Sequence, residues 1–408
     1  MNFIDLFAGA GGLSEGFIRA GFKPIAHVEA DNAACYTLKT RVAYHYLQDT
    51  SNIAKYHKYL KGEINRETLY SYVPDHLMCS VINKTISAEN NKGVFDTIDT
   101  LKEDQEVDLI IGGPPCQAYS TTGRGALKHK EKDERKSLFI EYGRFLSYYK
   151  PKLFVFENVP GLKSSDGGIH YNAIKKYFKK LGYNIDERLL DARDFGVVQQ
   201  RKRLIIIGWR KDIRFEYPDF DVVDRQYFRD DIFADLPALR PGQGGRWTTY
   251  RGDSNNYLNQ SHIRNGIDFT TLHIARPHNE KDLEIYKLAI QRLEEGERIK
   301  NSDIPEQMRT QQNTEDFLDR FKVVDKLPHT MIAHIAKDGH HFIHPSLDQL
   351  RSISVREAAR IQSFPDDFYF EGIKESQPRT AAFKQIGNAV PPLMAQSIAQ
   401  RIFVMIGG

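Results

Sequence analysis

Apolar positions along the chain fall into short blocks separated by longer mixed stretches. Residues 3–7, 24–28, 109–111, 152–156 and 204–208 are apolar runs of strand length, bounded by turn residues or charges. Residues 46–48 and 185–190 are weaker strand candidates, the second interrupted by Asp186 and Glu187. Helical patterns fall between these runs. Residues 137–149 would turn Leu138, Phe139, Tyr142 and Phe145 to one side, and residues 58–70 and 171–181 are further candidates. Such alternation predicts an α/β protein with a doubly wound, mostly parallel sheet. From about Lys211 the alternation stops, and loops rich in glycine, arginine and histidine take over. Late in the chain, Ser354 and Glu357 have the spacing of a helix-opening capping box. The apolar residues Leu393, Met394, Ile398 and Ile402 then predict a terminal helix that needs the sheet as its core.

These breaks suggest three parts. Residues 1–210 would form a catalytic and ligand-binding domain, with an added surface module at about 51–106. Residues 211–377 would form a smaller, irregular domain, and residues 378–408 would return to the first. A length of 408 residues suits more than one core. The net charge of +3 is mildly basic, which permits a polyanionic partner without requiring one. Three cysteines without metal-ligand spacing argue against zinc and for a reducing, cytoplasmic setting. The histidines at 329–344 have neither a helical His-x-x-x-His pair nor a cysteine partner, so no metal is expected. No signal peptide is expected at the start, and no apolar run reaches the roughly 18 residues of a membrane span.

The residues able to do chemistry gather at strand ends. The first strand runs into Ala8-Gly9-Ala10-Gly11-Gly12-Leu13, a glycine-rich turn opening a helix, where backbone N–H groups can meet a ligand. The second ends at Glu29, spaced to bind ribose hydroxyls, and Asp49 after the third candidate could accept from an adenine amino group. The central run ends in Gly112-Gly113-Pro114-Pro115-Cys116-Gln117, a rigid corner presenting a thiol. The next ends at Glu157-Asn158-Val159, a carboxyl and an amide able to hold a polar ligand edge. Ligands of open α/β sheets bind at the carboxyl ends of strands, so Gly9, Glu29, Cys116 and Glu157 should converge on one cleft. The loop after Cys116 carries glycine hinges and cations, as an anion-closing lid would. Each feature also has a plainer explanation, such as a packing turn, a buried thiol, an N-cap or solubilising charges.

Taken in order, these motifs resemble the DNA (cytosine-5)-methyltransferases, especially bacterial enzymes of restriction-modification systems. Residues 3–12 resemble the cofactor motif, Gly113-Pro114-Pro115-Cys116-Gln117 the nucleophile motif, and Glu157-Asn158-Val159 the base-binding motif. Gln199, Arg201 and Arg203 resemble the Q-x-R-x-R motif. Arg356-Glu357-Ala358-Ala359-Arg360 resembles the motif that organises the recognition domain, and Gly387-Asn388-Ala389-Val390 the final cofactor motif.

The resemblance implies a class I, Rossmann-like S-adenosylmethionine-dependent fold with a target-recognition domain. It implies methylation of carbon 5 of cytosine in double-stranded DNA, through a Cys116 adduct to a flipped-out base. Glu157 would bind and protonate the base, Arg203 would hold its carbonyl oxygen, and Arg201 the base or its phosphate. Phe7, Gly9, Gly11, Gly12, Leu13, Glu29, Asp49, Pro114, Asn388 and Val390 would line the cofactor site, with S-adenosylhomocysteine as product. Gln117, Thr122, Asn158 and Gln199 would touch substrate. The implied setting is the bacterial cytoplasm, with a monomer on DNA, a cognate endonuclease as possible partner, and no membrane. Competing readings are an RNA methyltransferase, a DNA-binding module without activity, and a nucleotide-dependent oxidoreductase. The first lacks its Cys-Phe-Thr segment here, the second leaves the intact thiol unexplained, and the third leaves Pro-Pro-Cys unexplained.

Overall fold

The computed structural model describes residues 1–115, 138–309 and 319–407. Cys116, Gln117 and Thr122 therefore lie outside the described residues.

The sheet elements are β1 (Asn2–Leu6), β2 (Lys23–Glu29), β3 (Val81–Asn83), β4 (Leu109–Gly112), β5 (Leu153–Asn158), β6 (Tyr183–Asp191) and β7 (Lys202–Arg210). Their spatial order is β3-β2-β1-β4-β5-β7-β6. β1 to β5 pair in parallel, and β7 runs antiparallel to both β5 and β6. The central strands are buried on both faces, which explains why Leu109-Ile110-Ile111 reads as continuous rather than alternating apolar sequence. The reversal of β7 also explains the odd position of its cations. Arg203 pairs with Leu190, and Leu204 pairs with Asn158 at the carboxyl end of β5. The beginning of β7 thus lies on the same edge as the ends of β4 and β5.

Helices α1 (Gly12–Arg19), α2 (Asn32–Asp49), α3 (Ile53–Lys61), α4 (Arg66–Tyr70), α5 (Asp75–Cys79), α6 (Asn91–Lys102), α7 (Leu138–Tyr149) and α8 (Ile169–Lys180) connect and cover the strands. Three sequence expectations fail here. Residues 46–48 are not a strand but the last turns of α2, whose apolar residues face a core. The stretch 51–106 is not surface decoration. It supplies β3 and α6, with Ile82, Ile86, Val94 and Ile98 in the sheet core, while Tyr56, Tyr59, Leu60 and Leu69 are buried in the core of the second lobe. Its many charges masked these anchors. The candidate helix at residues 58–70 is instead α3 and α4, split at Gly62, which takes φ 78°.

The second lobe contains α9 (Arg229–Phe233), the ribbon of β8 (Trp247–Thr249) and β9 (Phe269–Thr271), α10 (Asn256–Gln260), α11 (Glu280–Glu294) and α12 (Val355–Ile361). Ser354 and Glu357 form the expected capping box. The arginines of this segment are fully buried and matched to partners. Arg360 bridges Asp235 and Asp366, Arg351 holds both oxygens of Glu357 at 2.7 and 2.8 Å, and Arg356 donates to the carbonyls of Thr271, Pro365 and Phe368. Burying a guanidinium is costly unless it is paired and hydrogen-bonded in this way. The chain returns through α13 (Arg379–Asn388) and α14 (Pro392–Gly407). As expected, Met394, Ile398 and Ile402 join the sheet core. α14 approaches α1 closely because a Cβ on Gly16 would stand 2.4 Å from that of Ala395.

Candidate active site

The first wall of the cleft is the turn after β1. Phe7 takes φ 56°, an unusual conformation for a side-chain-bearing residue, and Gly9 and Gly11 follow at 55° and 83°. A Cβ on Gly9 would meet nothing within 4 Å, so open space adjoins the backbone there. Gly12 is different. A Cβ there would lie 2.3 Å from the carbonyl oxygen of Val390, so the returning segment packs directly on the glycine turn. Asn388, exposed at the end of α13, sits two residues before that contact. The Leu13 side chain points into the sheet core, so only its backbone can face a ligand.

Glu29 closes the second wall. Its carboxylate accepts from the backbone N–H groups of Gly9 at 2.8 Å, Ala30 at 2.9 Å and Asp31 at 2.8 Å. Burial nonetheless pushes its pKa above the usual carboxylate value. Sequence reasoning missed the neighbour. Asn83 ends β3 beside Glu29 and donates to the carbonyls of Glu29 and Ala30, both at 3.2 Å. A three-residue strand gives almost no periodicity. The one available signal is Val81-Ile82 followed by a polar residue. Asp49, by contrast, is exposed at the far end of an 18-residue helix that starts beside Glu29, a length of roughly 27 Å. It does not reach the cleft.

The reaction end is built where β4, β5 and β7 meet. Arg203 Nε lies 2.8 Å from Glu157 Oε1, with both side chains nearly buried. Burial raises the Glu157 pKa, and the positive charges of Arg203 and Arg201 only partly offset it. A Cβ on Gly113 would stand 2.5 Å from Glu157 Oε2. The Glu157 carboxyl therefore rests on the backbone three residues before Cys116. Asn158 Nδ2 donates to the carbonyl of Pro114 at 3.3 Å, while its Oδ1 accepts from Val159 N at 2.9 Å. Its amide thus ties the nucleophile corner to β5, using one of its two N–H donors there.

Arg201 and Gln199 also depart from expectation. Arg201 is fully buried, and its guanidinium donates to the carbonyls of Met331, Gly387 and Ala389. Gln199 Nε2 donates to Gln362 Oε1 at 2.9 Å, and Gln199 Oε1 accepts from Met331 N. These two side chains bolt the start of β7 to the second lobe and the returning segment. Their polar character pointed to binding, but their partners lie within this chain: main-chain groups and, for Gln199, the Gln362 side chain. Among the described residues, no group of three or more His, Cys, Asp or Glu side chains could hold a metal ion.

The site thus joins a glycine turn with an acidic strand end to a carboxyl–guanidinium pair beside a Pro-Pro corner. A family model for the C-5 cytosine-specific DNA methylases matches this chain over residues 1–65 and 54–404. The chain belongs to that family. It is a DNA (cytosine-5)-methyltransferase, as its likeness to bacterial type II enzymes supports. The type II methyltransferase M.Bpa9945I of Bacillus paralicheniformis is 41% identical over 449 aligned residues, covering 100% of both chains. M.DdeI of Desulfomicrobium norvegicum is 30% identical, covering 98% of this chain and 88% of its own. Among solved structures, a prophage-encoded protein of E. coli described as a DNA modification methyltransferase superposes with a TM-score of 0.67 at 23% identity, covering 100% of both chains. That likeness establishes the fold expected from the sequence, a doubly wound, mostly parallel α/β sheet. Among the described residues, no single helix of the methyltransferase is long and apolar enough to cross a membrane.

Proposed function

We propose that this methyltransferase modifies one cytosine within a specific duplex DNA sequence, by covalent catalysis on a base rotated out of the helix. The observation that carries the reading is the Glu157–Arg203 pair resting on Gly113, three residues before Cys116. Carbon 5 of cytosine is a weak nucleophile. Attack by the Cys116 thiolate on carbon 6 makes the ring an enamine, and carbon 5 then takes the methyl group. Loss of the carbon 5 proton and expulsion of the thiolate restore aromaticity. A carboxyl with a raised pKa suits Glu157 to protonate ring nitrogen 3 as the thiolate adds. Arg203 orients that carboxyl and offers N–H groups to the base carbonyl. A stacked base cannot enter such a cleft, so it must be extruded.

The cofactor residues fit S-adenosylmethionine. Gly9 leaves backbone open to a ligand, Glu29 stands where ribose hydroxyls would lie, and Asn83 borders the same rim. Phe7, Gly11, Pro114, Asn388 and Val390 complete this assignment, with Gly12 and Leu13 contributing backbone. When bound, S-adenosylmethionine supplies an electrophilic methyl group. By kinship with the type II enzymes, we further infer a bacterial cytoplasmic protein acting as a monomer on DNA, whose methylation shields sites from a cognate endonuclease.

Duplex DNA carrying 5-fluorocytosine tests the covalent step, because fluorine blocks the loss from carbon 5 that releases the enzyme. With S-adenosylmethionine present, the wild-type chain should remain attached to DNA through denaturing electrophoresis, and Cys116→Ala should not. A wild-type chain that methylates cytosine yet never becomes attached would overturn the covalent reading. Bisulfite sequencing of DNA from cells expressing the chain would read the target sequence.

A further inference from the structure

Immediately outside the Glu157–Arg203 pair, an open cleft of about 590 Å³ lies between the two lobes. Pro160 enters it from the segment after β5. Asp191 and Arg193 enter from the end of β6, and Gln200, Lys202 and Arg203 from the beginning of β7. Thr330 of the second lobe closes the far side. The lining carries three cations against one carboxylate. Among the described residues, the side chains of Arg193 and Lys202 make no ion pair with that carboxylate or any other. Asp191 uses one oxygen internally, accepting from Arg193 N at 3.3 Å and Arg201 N at 3.1 Å.

The backbone around this cleft is fixed. Ala192 N donates to the Arg201 carbonyl at 2.9 Å, and Gln200 N to the Pro328 carbonyl at 3.0 Å. The Thr330 hydroxyl donates to the Gln200 carbonyl at 2.6 Å. Two cations with no carboxylate partner among the described residues, held on a braced rim, leave their charge for an external anion. A base rotated out of a duplex remains tied to its sugar and phosphates, so its backbone must pass the mouth of the pocket. This cleft is at that mouth, since Arg203 lines it while also contacting Glu157.

We infer that Arg193 and Lys202 form a phosphodiester-binding site that holds the backbone of the strand carrying the target cytosine. The inference rests on the DNA methyltransferase reading above and assigns a role to two residues outside the motifs already described. Both act as positioning residues. They set where the backbone lies and do not touch the reacting ring.

The test is the salt dependence of duplex binding, with S-adenosylhomocysteine affinity measured alongside to report folding. Each phosphate contact contributes about 0.9 to the slope of log K against log salt. The Arg193→Ala/Lys202→Ala variant should therefore shed about 1.8 of that slope and bind duplex roughly tenfold more weakly at moderate salt. The loss should be equal on duplexes with and without the target sequence, and cofactor affinity should be unchanged. Arg193→Lys/Lys202→Arg, which keeps both charges, should retain the slope. Lys179→Ala/Lys180→Ala, at the end of α8, is the control and should also retain it. An unchanged slope in the first variant, or an equal loss in the control, overturns the site. Lys202→Gln alone, at an exposed position, should shed about 0.9 and decides the matter if the double variant does not fold. Absence of any DNA binding or methylation by the wild-type chain would instead overturn the function on which the site depends.

Discussion

Glu157 and Arg203 stand 2.8 Å apart at the carboxyl edge of the sheet, although they arrive there from opposite strand directions. Glu157 ends β5, whereas Arg203 begins β7, and only an antiparallel β7 could bring the two together. The burial that makes the pair rigid also raises the carboxyl pKa, so a proton remains available at a higher pH than an exposed glutamate would allow. Single-turnover methylation should consequently fall as pH rises through the raised Glu157 pKa. Glu157→Gln should slow methyl transfer by about 10²–10⁴-fold, in the range of a lost acid catalyst, and abolish that limb. Duplex affinity should change little. Equal losses in rate and affinity would make Glu157 a structural residue.

Gly113 provides a second handle on the same carboxyl. A Cβ at this position would lie 2.5 Å from Glu157 Oε2, closer than any real contact. Gly113→Ala should push the carboxyl off its seat and lower the methylation rate at least tenfold. The denaturation midpoint and cofactor affinity should hold near wild type. A large drop in midpoint would instead locate the damage in the β4–β5 pairing.

The two arginines show how far sequence could carry the reading. Motif spacing placed Arg201 and Arg203 together, and both cluster at the sheet edge. Their separate duties depend on strand direction and on the carbonyls of Met331, Gly387 and Ala389, which lie 130 to 188 residues away in sequence. No local pattern encodes such partners. The sheet was legible because its buried strands are continuous apolar runs ending in turn chemistry. β3 and α3 were not, because one is three residues long and the other hides its buried tyrosines among lysines. Asp49 was misplaced for the same reason, since a short aromatic run in α2 resembled a strand.

Removing the Arg201 guanidinium leaves three carbonyls without a donor at the junction of both lobes. Arg201→Ala should cost on the order of 3–5 kcal/mol of stability, since each buried carbonyl left unsatisfied costs about 1–3 kcal/mol. Urea denaturation of the variant would measure it. A folded, equally stable Arg201→Ala that lost only catalysis would return Arg201 to the reacting groups.

The cofactor wall separates Glu29 from Asp49. Glu29→Gln replaces one of the oxygens now accepting from Gly9, Ala30 and Asp31, and weakens the anchor for ribose hydroxyls. S-adenosylhomocysteine affinity, measured by calorimetry, should fall about tenfold or more. Asp49→Ala should leave it unchanged, because the side chain is exposed at the remote end of α2. A cofactor loss on Asp49→Ala would contradict the placement of that helix end.

Glu371 couples the second lobe to α2 and α3 through a buried carboxyl that accepts from the hydroxyls of Tyr59 and Thr40, the latter at 2.7 Å. Among the described residues its other oxygen has no hydrogen-bond partner, and Arg66 lies 3.6 Å away. Burial outweighs these donors and pushes the pKa up to about 7, from the usual 4.5 of a glutamate. The folded state therefore holds this proton more tightly than the unfolded chain does. Stability from this group is fully present below about pH 4.5 and is lost as pH rises towards 7. At about 1.4 kcal/mol per pH unit, the full swing is on the order of 3 kcal/mol. Glu371→Gln keeps an acceptor for the two hydroxyls and removes the charge. It should flatten the pH dependence of urea stability between pH 5 and 8 and raise stability at pH 8 relative to wild type. The opposite slope, with wild type gaining stability as pH rises and the variant losing it, would mean that Arg66 holds the ionised carboxylate more strongly than burial opposes it.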